Sequence, residues 1–190
     1  MKRGVFVVAS VLLPVGGLLL AANWWLRPVF EAEQAMSSGD AARAADAYAS
    51  AQRRFDRIPF AKNVLSGVYR GVIANELPVL YSLRRYDEII DAASAEEDNE
   101  AAPFWAGCAL FDEALMAEKP EARAGLISQS HQEFRRALDL APGDWDAKFN
   151  YELTGKLISG LQRQPQTTKE DMMKLLREAP REREPPRKVG

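Results

Sequence analysis

Three places in the sequence carry side chains that could do chemistry: the single histidine His131, the single cysteine Cys108, and the acidic run Glu96-Glu97-Asp98-Asn99-Glu100. An imidazole can serve as a general base or a pH sensor. One histidine, however, excludes any two-histidine metal or catalytic set within a chain. His131 stands between Ser130 and Gln132, beside an apolar stripe formed by Ile127, Phe134 and Ala137. It is expected at the boundary between that stripe and solvent, with no recognisable nucleophile motif near it. Cys108 lies in Trp105-Ala106-Gly107-Cys108-Ala109-Leu110. Small apolar neighbours favour a buried, inert thiol. A lone cysteine also excludes an intrachain disulfide framework and a multi-cysteine metal site. The acidic run has oxygens that suit a hard cation. It lacks the alternating ligands, glycine and final glutamate of a calcium loop, so a solvated loop is expected. There is no phosphate-cradling glycine-rich loop and no triad signature. The expectation is a protein that is not an enzyme and uses no cofactor or metal.

The elements around these residues have to fit in 190 residues, 47% hydrophobic and 27% charged. That suits one modest domain or a short repeat array, not a disordered chain. Net charge is −2, which disfavours a general nucleic-acid binder. The charge is unevenly placed. Residues 28–176 hold 17 basic and 24 acidic groups, and residues 177–190 hold five basic and three acidic.

Lys2 and Arg3 precede an uncharged run, 4–26, closed by Arg27. A helix crossing a bilayer needs about 20 mostly apolar residues, so residues 4–26 are expected to form a transmembrane anchor, with 1–3 as a cytoplasmic start. A cleaved signal peptide has the same basic start and apolar centre, but Ala21-Ala22-Asn23 offers no clean cleavage pattern. Trp24, Trp25 and Arg27 are the expected membrane-interface residues. The basic start places the body outside the cytoplasm. The expected location is therefore a bacterial inner membrane, crossed once, with the bulk periplasmic. Gly17 and Ala21 give a small-xxx-small spacing, a candidate face for a homo-oligomer.

Beyond Pro28, good helix formers dominate. The pattern predicts helices over 28–37, 40–55, 62–83 (bent or broken near Pro78), 86–95, 102–118, 120–140, 144–162 and 168–178. Ala44, Tyr48 and Ala51 form one stripe, and Ile127, Phe134, Ala137 and Leu138 another. Gly39, Pro120 and Pro142-Gly143-Asp144 mark the boundaries. The tail is rich in proline and charge and too poor in apolar groups to fold, so 163–190 is expected to be a short helix and a disordered tail.

Two stretches carry a family resemblance: Gly39-Asp40-x-x-x-Ala44-x-x-x-Tyr48-x-x-Ala51, and Phe134-x-x-Ala137-x-x-x-x-Pro142 followed by Asp144-Trp145-Asp146-Ala147-Lys148-Phe149-Asn150-Tyr151. They resemble tetratricopeptide (TPR) repeats. The spacing departs from the family, since Tyr48 and Phe134 are 86 residues apart, not a multiple of about 34. The resemblance implies an all-α, degenerate TPR-like solenoid of helical hairpins over 28–162.

Such solenoids grip peptides or partner domains. The resemblance places Lys148, Phe149, Asn150, Leu153, Lys156 and Leu157 as partner-binding candidates. The alternative is that Phe149 and Leu153 only fill the core. The run 137–153 is similar to repeat proteins encoded beside MoxR-type ATPases and von Willebrand A-domain proteins, a class that includes accessory factors of methanol oxidation. It implies an adaptor in the maturation, or metal loading, of a periplasmic dehydrogenase, with von Willebrand A-domain membrane proteins and a MoxR-type ATPase system as partners. A general periplasmic chaperone, an envelope-assembly adaptor and a structural subunit of an inner-membrane complex are the alternatives.

Overall fold

The structure, a computed structural model, describes residues 2–96 and 98–163, together with 173, 174 and 177. Side chains of residues 2–16, 18, 19, 162 and 163 fall outside the description. Every element among the described residues is a helix. In order they are α1 (Lys2–Ser37), α2 (Ala41–Arg57), α3 (Pro59–Val64), α4 (Ser66–Ser82), α5 (Tyr86–Ala95), α6 (Ala101–Met116), α7 (Pro120–Leu140) and α8 (Trp145–Arg163). The all-α expectation holds. The chain divides into two compact units, Met1–Arg85 and Tyr86–Gly190.

In the first unit, α2 packs against both α1 and α4. Its inward face is Ala44, Ala45, Ala47, Tyr48, Ala51 and Phe55, which includes the stripe seen in the sequence. Small residues let α1 approach, burying Pro28, Ala32 and Ala35. Phe55 then fills the far end, its ring 5.3 Å from Trp25 and 5.2 Å from Tyr69. Gly39 ends α1 at φ 75°, a left-handed conformation that glycine adopts without steric cost. Asp40 starts α2, its side chain accepting a hydrogen bond from Arg43 N at 3.0 Å.

Several expectations need correction. The separate helix over 28–37 does not exist, because α1 runs through Pro28 without a break. The expected anchor and single-pass inner-membrane location are not retained. No helix among the described residues is long and apolar enough to cross a membrane. Beyond Leu26 α1 is amphipathic and not uniformly apolar: Arg27, Glu31 and Glu33 are charged, while Pro28, Ala32 and Ala35 pack inward. The side chains at 4–16, 18 and 19 lie outside the described residues. Pro78 does not break its helix but lies within α4. The interruption falls at Leu65 (φ −110°, ψ 35°), and bonds from Leu65 N to Ala61 O and from Tyr69 N to Leu65 O carry the ladder across it. Of the expected helix 168–178, only 173, 174 and 177 are described, and they are helical. The tail beyond lies outside the described residues.

The second unit is a run of neighbours: α5 packs on α6, α6 on α7, and α7 on α8. The α6–α7 contact is close because one residue has no side chain. A Cβ at Gly107 would lie 2.7 Å from the Phe134 ring. Ala102, Ala106, Ala109 and Ala114 line the same helix and are buried. Beyond them Ala114, Ile127 and Leu157 form the core that joins α6, α7 and α8, with Phe111, Leu126, Leu153, Ile158 and Leu161 around it.

Candidate functional site

The first helix pair of the second unit is tied by polar groups. Tyr86 Oη donates to Asp112 Oδ2 at 2.9 Å, joining α5 to α6. Arg136 Nη2 donates to Ala93 O at 2.6 Å, joining α7 to α5. Ser130 Oγ is buried and donates to Gly107 O at 2.8 Å. These bonds fix the frame on which α8 is laid.

His131 belongs to that frame. Its Nδ1 lies 3.1 Å from Tyr151 O and 3.0 Å from Thr154 Oγ1. Its ring stacks on Tyr151 with centroids 4.2 Å apart. Thr154 is itself buried and donates to Asn150 O at 2.8 Å. The imidazole therefore bolts α7 to α8, half-buried at the edge of the stripe where the sequence placed it. The two side-chain neighbours of His131 are a packed tyrosine and a buried hydroxyl already bonded to its own helix.

Cys108 is half-buried on α6, and its thiol is pushed up to about 12 by burial first, and then by Asp112, Asp146 and Asp144. So little thiolate makes it a poor nucleophile. In the acidic loop Asn99 is buried, and its side-chain oxygen accepts from Ala101 N at 3.1 Å, opening α6. Glu97 lies outside the described residues. Among the described residues no group of three His, Cys, Asp or Glu could hold a metal ion.

The α8 candidates divide by face. Asp144 Oδ1 accepts from Asp146 N at 2.9 Å and Ala147 N at 3.1 Å, so the helix starts where its orphan donors are met. Ala147, Thr154 and Leu157 then turn inward. Leu153 packs beside them. Leu157 is core, and Leu153 belongs half to it. Asn150 is half-buried, and its Nδ2 donates to Asp146 O at 2.9 Å, within its own helix. Lys148, Phe149 and Lys156 face outward. The structure adds a residue absent from the candidate set: Trp145, 70% exposed. Lys148 Nζ sits 4.8 Å from the centre of its ring, and Phe149, one turn along, is 40% exposed. The signal was present in the spacing, since 145 and 149 share a helical face opposite 147, 154 and 157.

The residues expected at a membrane interface are also split. Trp25 packs on Phe55, Arg27 pairs with Glu31 at 2.8 Å, and Trp24 is exposed, with Arg54 stacked on it at 4.8 Å.

No family model, curated protein or solved structure matches the chain.

Proposed function

We propose that the chain is a non-catalytic adaptor of the degenerate TPR-like kind, which holds a protein partner on the outer face of α8. The observation that carries this is the exposed pair Trp145 and Phe149, with Lys148 across the indole, on a helix whose opposite face is bolted into the core. Large aromatics on a rigid element lose little conformational entropy on binding and supply most of the energy at protein interfaces. The lysine adds a cation suited to a carboxylate on the partner. In the second unit, successive helices each packed on the next support the repeat reading. The sequence resemblance to accessory factors of methanol oxidation, the MxaK kind, supplies the partner class: a von Willebrand A-domain protein of a MoxR-type system, served during maturation of a dehydrogenase.

Photo-crosslinking tests this. A photoreactive residue at position 149 of the intact protein should crosslink a von Willebrand A-domain partner, and the same probe at the exposed Asp91 should not. Crosslinks to many unfolded clients from both positions would replace the adaptor reading with that of a general chaperone. Equal capture of the partner from both positions would remove α8 as the gripping face.

A further inference from the structure

The first unit exposes a second apolar face, on the side of α3 and α4 away from the core. Phe60, Val64 and Val68 recur every four residues, and the hydrogen-bond ladder through Leu65 keeps them on one line. Phe60 is 73% exposed, Val64 62% and Ile58, just before them, 51%. Ala61, Tyr69 and Val72 on the opposite side are buried. Gly67 and Gly71 leave the outer face low, each with open space where a side chain would be. Trp24 and Trp25 offer their carbonyls to Arg54 Nη1 at 2.6 and 2.7 Å. Trp24, and Leu20 one turn further up α1, are exposed in the same unit.

Charge selects the occupant. Arg53, Arg54, Arg57, Lys62 and Arg70 lie between positions 53 and 70, against one acid, Asp56. The rest of the body is acidic. Lys62 is held protonated by its hydrogen bonds to Asp56 and Tyr69, which raise its pKa. A second copy would set this basic belt against itself. An anionic lipid surface matches it: basic side chains meet the headgroups while phenylalanine and aliphatic groups enter the boundary below.

We propose that the Ile58, Phe60, Val64 and Val68 face, in a segment rich in basic residues, docks on the surface of an anionic bilayer. The contact is peripheral and needs no spanning helix. It is independent of the α8 surface.

The test uses the intact chain with Cys108→Ala and Val64→Cys, the new thiol carrying an environment-sensitive fluorophore. Vesicles are phosphatidylcholine with about one third phosphatidylglycerol, or phosphatidylcholine alone; the first should gain about fivefold in affinity from each arginine near the surface. With anionic vesicles the probe at 64 should shift to the blue and be quenched by lipids carrying a nitroxide in the upper chain. A probe at Asp91 should do neither. Because the signal is local to residue 64, contacts elsewhere on the chain do not register. Phe60→Ser should raise the lipid concentration at half-shift about tenfold or more. Arg53→Gln with Arg57→Gln should raise it about fivefold per arginine. An unshifted probe at 64 with anionic vesicles overturns the proposal. So does an equal response on neutral vesicles. A shift that appears without lipid as protein concentration rises would assign the face to a second copy instead.

Discussion

The two units bury their helices by different means. In the first, one strongly amphipathic helix, α2, lies against its neighbours through alanines, and aromatic rings fill the end of the contact: Trp25, Phe55 and Tyr69. Polar ties cross between helices in both units, Arg54 to the Trp24 and Trp25 carbonyls and Gln52 to Glu76 in the first, Arg136 to Ala93 in the second, but the tie from Ser130 to Gly107 in the second is fully buried. An apolar contact is non-directional and tolerates sliding. A buried hydrogen bond has one geometry, and its loss leaves a polar group without a partner. The second unit is therefore the one suited to hold an exposed aromatic pair in a fixed place. The first unit's exposed residues form a broad apolar and basic face, which suits a partner without fine shape.

The contrast predicts where each unit breaks. The largest effect is expected from Phe134→Ala, which empties a fully buried site between α6 and α7. It should cost about 3–5 kcal/mol, seen in denaturant unfolding and in faster amide exchange over 86–163. Gly107→Val comes next. Its Cβ would strike the same ring, and overpacking of this kind costs about 1–3 kcal/mol. Ser130→Ala should cost about 1 kcal/mol through the lost bond to Gly107 O, whereas Asp40→Ala should cost a similar amount in the first unit by uncapping α2. If Ser130→Ala loosened 2–85 and left 86–163 untouched, the assignment of the buried tie to the second unit would be wrong.

The smallest effects sharpen the comparison. Arg84 has φ 58°, so Arg84→Gly should stabilise the chain by up to about 1 kcal/mol, read as a higher melting temperature. Glu133 is raised above the ordinary glutamate value because burial outweighs the nearby Arg136. The folded state thus holds its proton more tightly than the unfolded state. The resulting stabilisation is present below the ordinary glutamate pKa, and it is lost as pH rises through the folded value. Glu133→Gln should remove that part of the decline, measured by denaturant titrations at about pH 5 and 7.5.

Much of the fold was legible because boundaries carried chemistry. Pro120 opens α7 and Gly39 closes α1, and both limits matched. The interruption at Leu65 has no such mark, being flanked by ordinary residues. Pro78 misled in the other direction: in α4, buried Leu77, Val79 and Leu80 on either side hold the helix together through it. The continuity of α1 through Pro28 has the same cause, with Pro28, Ala32 and Ala35 buried on one side. At the α8 surface, family resemblance selected Leu153 and Leu157, which the structure turns inward, and passed over Trp145, which it exposes. Gly107 could not be singled out from sequence, because its need arises from Phe134, 27 residues away.

The most direct test of the central claim, that α8 grips a protein partner through exposed aromatics on a rigid frame, is the affinity of the Trp145→Ala, Phe149→Ala double variant for the von Willebrand A-domain protein. Truncation at an interface hot spot costs about 2 kcal/mol or more, so binding should weaken at least about 30-fold while the melting temperature stays within a degree or two of the parent. Unchanged affinity in a fully folded double variant would contradict the claim.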